Sequence, residues 1–201
     1  MEVKMKHAYK QSVDVLFKAF GTKSTLEKKY AALGARNVDV EKCKLTKTGL
    51  ETKFTREVPT NVPGLLKKFL GEWNHVTQEE HWSGTAGKQY ESTLTVAFKG
   101  VPVAITGTMV LSADGKGCTN TVVLNVTSSV PLIGRKLAEF IGETAAAEGQ
   151  KEYEYRRISA CQMRRGCMGA SDPAQPSRRA TRSRRERSRR LLGSAFCFQS
   201  P

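Results

Sequence analysis

Between Ser128 and about Arg157 the apolar positions fall at helical spacing: Leu132, Ile133, Leu137, Phe140, Ile141 and Thr144 recur at intervals of one, three and four. They form one apolar stripe on a helix of about seven turns. The opposite face carries Arg135, Lys136, Glu139, Glu143, Glu148, Lys151 and Glu152. Ser128 supplies a hydroxyl N-cap, and Pro131 sits near the first helical position, where its missing N–H costs nothing. Gly134 and Gly142 lie beside the stripe, each costing up to ~1 kcal/mol relative to alanine. Such glycines predict very close packing there, by a strand, a loop or a ligand. A helix this long and one-sided needs a broad apolar surface to lie on.

Upstream the period is two. Val3, Met5, His7 and Tyr9 alternate with Glu2, Lys4, Lys6 and Lys10, which predicts a strand with a charged outer face. Two short helices follow. Ser12 can cap one carrying Val13, Leu16, Phe17 and Phe20, and Ser24 to Glu27 reads as a capping box for one carrying Leu26, Tyr30 and Leu33. Six strand-like segments come next, near 38–47, 50–58, 72–82, 88–99, 102–112 and 118–127, divided by turns at Thr48-Gly49, Gly84 to Gly87, Gly100 and Asp114 to Gly117. Connections this short imply an antiparallel meander, apolar on one face and rich in Thr and Lys on the other. One connection is longer: Pro59 to Gly71 holds Val62, Leu65, Leu66, Phe69 and Leu70 around Lys67 and Lys68, too apolar for a free loop.

The predicted order is strand, helix, helix, six strands, long helix, an α+β arrangement. A seven-stranded antiparallel sheet tends to curl, and one long helix can fill its concave side. The His7-Ala8-Tyr9 strand, Glu79-Glu80-His81-Trp82, Gly100-Val101-Pro102-Val103 and Val130 to Gly134 carry a resemblance that covers roughly residues 1–158. The chain is similar to the helix-grip fold of the START-like (SRPBCC) superfamily, which includes lipid-transfer domains, pollen-allergen relatives and polyketide cyclases. Within it, the chain most resembles the domain-of-unknown-function family numbered 2505. These are framework motifs, and that family brings no established activity.

Charge divides the chain in two. Residues 1–160 hold 18 Lys and 5 Arg against 17 acids, a net of +6, whereas residues 161–201 hold 10 Arg, no Lys and 2 acids, a net of +8. One helix-grip domain over 1–160 and a disordered Arg-rich tail over 161–201 are expected. The tail reads either as a nuclear-localisation or RNA-binding segment or as the translation of a wrong frame or retained intron. Nucleic acid is a partner, and the nucleus a location, only if the tail is genuine. No apolar leader follows MEVKMKHAYK, and Cys43 and Cys118 stand alone, which fits a reducing compartment, with the cytoplasm as default. No C-x-x-C pair, Cys/His cluster, nucleophile elbow or phosphate loop occurs, so no metal or cofactor is expected.

The resemblance implies a cavity between sheet and helix that binds a hydrophobic or lipid-like small molecule. Its expected walls are Tyr90, Leu94, Val96, Phe98, Ile105, Met109, Val122 and Leu124 from the strands, with Leu137, Phe140 and Ile141 from the helix. The same pattern would equally describe a filled core. Strand parity puts His75, Glu79 and His81 on one face, and Val76, Gln78, Glu80 and Trp82 on the other. An inward Glu80 beside an indole could anchor a ligand hydroxyl or move a proton; an outward one would pair with a lysine. Enzyme activity of the cyclase or hydratase type is the alternative function, with no catalytic residue assigned. Leu65, Leu66, Phe69 and Leu70 either fold into the core or form a lid, and with Lys67 and Lys68 they could touch an anionic membrane transiently.

Overall fold

The computed structural model describes residues 1–60, 62 and 64–166, with Leu65 and residues 159–166 described by backbone alone. Strand β1 (Glu2–Tyr9) leads into helices α1 (Val13–Phe20) and α2 (Lys23–Ala32). Strands β2 (Arg36–Leu45), β3 (Gly49–Pro59), β4 (Trp73–Thr85), β5 (Gln89–Phe98), β6 (Val103–Asp114) and β7 (Gly117–Ser128) follow, then helix α3 (Gly134–Gly166). The seven strands form one sheet in the order β1-β7-β6-β5-β4-β3-β2. Every pairing is antiparallel. The meander is as expected, and β1 closes onto β7 with His7 opposite Asn120 and Val3 opposite Leu124.

The inward alternation of β5, β6 and β7 builds the main core. Leu94, Ile105, Val122, Leu124 and Val126 pack there with Leu137, Ala138 and Ile141 of α3. Gly107 lies in the same inward row, paired with Leu94 and Leu124. A Cβ on it would collide with the Val123 carbonyl oxygen, so only glycine lets the strands approach this closely. A second cluster forms under α1, where Phe17 stacks on Tyr90 with ring centroids 3.7 Å apart. The Tyr90 hydroxyl donates to Asp14 Oδ1 at 2.9 Å.

Helix α3 departs from expectation at both ends. It starts at Gly134, because Gly134 N–H donates to the Val130 carbonyl and Leu137 N–H to that of Ile133. The Ser128 hydroxyl instead accepts from Val130 N–H at 3.3 Å, a local turn rather than a helix cap. Leu132 leaves the stripe altogether: it has φ of +66° and is fully exposed. Gly134 is the point where the helix meets the end of β7, since a Cβ there would lie 3.0 Å from the Ser128 carbonyl oxygen. At the other end the helix continues through Gly166, past the expected end near Arg157, and residues 167–201, most of the tail expected over 161–201, lie outside the described residues. The capping box at Ser24 is also corrected. Thr22 is the N-cap of α2, in extended backbone and without a side-chain cap bond, and Ser24 lies one residue inside the helix.

The close approach expected at Gly142 is made by β1. A Cβ there would meet Met1 Sδ at 2.6 Å and Val3 Cγ2 at 3.2 Å. At Gly149, two turns further on, a Cβ would meet Met5 Sδ at 2.5 Å. Helix and edge strand are thus seated against one another along a glycine face. Among the described residues no helix is long and apolar enough to cross a membrane.

Candidate functional site

A cavity of about 290 Å³ remains between the sheet and α3. Strands β1 and β3 to β7, helices α2 and α3 and the end of α1 all line it. Of the residues expected at its walls, Leu94, Val96, Phe98, Ile105, Met109, Val122, Leu124, Ile141 and Glu80 line it. Leu137, Phe140 and Tyr90 are placed elsewhere. Leu137 is fully buried in the main core, with Phe140 packed against it. Tyr90 belongs to the cluster under α1, because β5 runs past the cavity toward that helix.

The described apolar side chains of the 62–70 segment lie in or against the main core. Leu66 and Leu70 are buried with Val62, and Phe69 packs against the same cluster, while Lys67 and Lys68 are exposed. The side chain of Leu65 is outside the described residues. Gly64–Leu66 forms a single 3₁₀ turn, and Asn74 ties the segment's far end by donating to the Thr60 hydroxyl and the Gly71 carbonyl, both at 2.9 Å.

On β4 the faces divide as strand parity predicts. Glu80 faces the cavity with Val76, Gln78 and Trp82, whereas Glu79 points outward and pairs with Lys53 at 3.3 Å. Glu80 takes no lysine. Its two carboxylate oxygens accept from Trp82 Nε1 at 2.9 Å and Gln78 Nε2 at 2.6 Å, the residues two positions away on the same face. Both donors are neutral.

Sequence reasoning missed the polar end of the cavity. The α3 stripe continues inward past Ile141 as Thr144, Ala145, Glu148, Gly149, Glu152, Tyr153 and Arg156. Glu148 and Glu152, expected on the solvent face, line the cavity because they hold the helical phase of Ile141. Glu152 Oε2 accepts from Lys29 Nζ of α2 at 2.6 Å. Lys29 is 2% exposed, so desolvation outweighs its partner and lowers its pKa to about 8. Burial works to raise the Glu152 carboxyl as well, but that side chain is 28% exposed, and the nearby Lys29 and Arg156 hold it below the ordinary carboxylate value. Lys29 Nζ also lies 3.9 Å from the centre of the Tyr30 ring, and Arg56 Cζ of β3 lies 4.2 Å from it. On the β1 wall, burial depresses the pKa of His7, whose ring stacks on Tyr153 at 4.6 Å.

Three polar atoms that line this end are buried without a hydrogen-bond partner: Tyr30 Oη, Arg56 Nη1 and Asn120 Oδ1. The signal that could have found the site was the i, i+4, i+11, i+15 continuation from Leu137 and Ile141 to Glu148 and Glu152. Among the described residues no group of three or more His, Cys, Asp or Glu is arranged to hold a metal.

The family model described as "Protein of unknown function (DUF2505)" matches residues 4–157, nearly all of the sheet and most of α3. The chain belongs to this family. For DUF2505 the resemblance extends to solved structures by shape. TTHA0849 from Thermus thermophilus aligns with a TM-score of 0.55 at 16% identity, over 80% of this chain and 99% of that one. Human STARD10 aligns with a TM-score of 0.53 at 11% identity, over 83% of this chain and 67% of that one. Protein Ms6760 from Mycobacterium smegmatis gives 0.50 at 10%, over 81% and 92%. Identities this low speak for the fold, and the fold of this DUF2505 chain is the START-like helix grip: a curved seven-stranded antiparallel sheet, two short helices and one long C-terminal helix. No curated protein matches the sequence.

Proposed function

We propose that this protein binds a hydrophobic or amphipathic small molecule in the cavity between its sheet and α3. The observation that carries the reading is the unfilled space of about 290 Å³, where close-packed side chains would otherwise meet. It lies near the lower end of the range of ligand sites, roughly 300–1,000 Å³, and combines apolar walls with a few convergent polar groups as such sites do. The ligand's apolar part would rest on Leu94, Val96, Phe98, Ile105, Met109, Val122, Leu124 and Ile141, with Glu80 as a polar contact. Exchange requires an opening, and the 62–70 segment is our choice of door. It is short, carries exposed Lys67 and Lys68 that an anionic membrane surface would attract, and packs into the apolar cluster that also holds Leu94, Ile105, Val122, Leu124 and Ile141 of the cavity wall. Among the described residues Cys43 and Cys118 are free thiols, which fits a reducing compartment such as the cytoplasm.

Native mass spectrometry of the full chain, before and after organic extraction, tests this reading. A non-covalent mass adduct that extraction removes is expected, and the extracted protein should take up the neutral probe N-phenyl-1-naphthylamine with enhanced fluorescence. A chain that carries no adduct and leaves the probe dark would refute it.

One observation favours proton-transfer chemistry as a second reading: Glu80, His7 and Glu152 converge on the cavity. It predicts turnover in a cyclase or hydratase substrate panel that Glu80→Gln abolishes. Occupancy without turnover excludes it.

A further inference from the structure

The polar end of the cavity is unbalanced in both hydrogen bonding and charge. Tyr30 is 3% exposed, and its hydroxyl has no partner. Arg56 stacks over the same ring at 4.2 Å with its Nη1 buried and likewise unpartnered. Two orphan donors therefore belong to one stacked pair of side chains at one wall, and a buried donor left unmet is destabilising. A water could satisfy such donors, but it could not answer the charge. Arg56 and Arg156 line this end, with Lys29 directly behind, against Glu80 and Glu152. Glu152 is matched by Lys29, and Glu80 by the neutral donors of Trp82 and Gln78. Glu148 and Lys151 at the rim neutralise each other at 2.7 Å. Three cations face two carboxylates, an excess of one positive charge at this end.

We propose that the Tyr30–Arg56 wall is a subsite for the singly charged carboxylate headgroup of an amphipathic ligand, whose chain runs along Leu94, Val96 and Ile105. The proposal rests on the cavity-binding reading and adds the chemistry of the head. A carboxylate presents two acceptor oxygens to two adjacent donors, and guanidinium is the side chain best matched to it. Asn120, on the β7 wall, keeps its Oδ1 as an acceptor for a protonated group elsewhere on the ligand. An alcohol head would satisfy one donor and leave the charge; a quaternary ammonium head would add to it.

The test is competition against N-phenyl-1-naphthylamine bound to the extracted full chain near neutral pH, with decanoate, decan-1-ol and decyltrimethylammonium as three heads on one chain length. Decanoate should bind at least about ten-fold more tightly than decan-1-ol, with the ammonium amphiphile weakest. Arg56→Gln should bring decanoate to within about two-fold of decan-1-ol. Tyr30→Phe, which removes one oxygen and keeps the ring, should narrow the preference severalfold. Equal binding of decanoate and decan-1-ol by the unmodified protein, or a preference that survives Arg56→Gln, would overturn the headgroup assignment and leave cavity binding standing. Failure of the probe itself to bind would overturn both.

Discussion

Lys29 and Glu152 form a contact between α2 and α3 in which one partner is fully buried and the other is partly open to solvent. Removing either partner strands a charge, so Lys29→Met or Glu152→Gln alone should cost roughly 3 kcal/mol. The double variant should cost clearly less than the sum, which urea unfolding of all four proteins would show. Tyr9 sets the alkaline behaviour. Burial pushes its hydroxyl up from 10.0 to about 12. The folded protein keeps a proton that the unfolded chain releases near pH 10, so stability falls as pH rises from about 10 to about 12. Tyr30, Tyr90 and Cys118 are shifted upward too, mainly by burial, and steepen that loss. Tyr9→Phe should recover about 2–3 kcal/mol between pH 9 and 12, read from urea midpoints against pH. A parallel decline in both proteins would contradict the assignment.

Glycines separate the two halves of α3 in a way that substitution can read. Gly142→Ala gains ~1 kcal/mol of helix propensity but drives its Cβ toward Val3 as well as Met1, and β-branched Val3 cannot swing aside. At Gly149 the atoms in the way belong to Met5, a flexible side chain. Gly149→Ala should therefore leave the melting temperature unchanged or raised, and Gly142→Ala should lower it. Substitution also reads the 62–70 segment. Leu70→Ala, at 2% exposure, should cost about 2–4 kcal/mol as a core truncation. The same truncation loosens the proposed door, so the variant should also release bound probe faster. Strands were legible because period two has one meaning when one face is buried, and parity along β4 puts Glu80 on the face with Val76 and Trp82. The second half of α3 was not legible in the same way. Glu148 and Glu152 look like solvent residues by type, and only their phase relative to Ile141 says otherwise. Tyr30, Lys29 and Arg56 were hidden for another reason: they come from α2 and β3, and no local pattern reports that those elements meet α3. Leu132 shows the converse error, a stripe residue by spacing that a positive φ turns outward.

At the scale of the molecule, β2 to β7 are joined in sequence order, each to its neighbour, while β1 crosses the whole chain to pair Glu2 with Asn125. Hairpins close early because their loops are short; the β1–β7 pairing must wait for a loop of more than a hundred residues, whose closure costs entropy before any contact repays it. The expected folding order is a five-hairpin trough first and the β1 wall last. In stopped-flow experiments Val3→Ala should mainly speed unfolding, whereas Leu94→Ala should slow folding. Since β1 supplies Met5, His7 and Tyr9 to the cavity, the trough is open along that side until the final step. A guest that arrives during synthesis meets an unroofed channel, and one that arrives later meets a closed wall. Occupancy would then depend on when the ligand was present, with slow loading of the finished protein and fast loading during refolding.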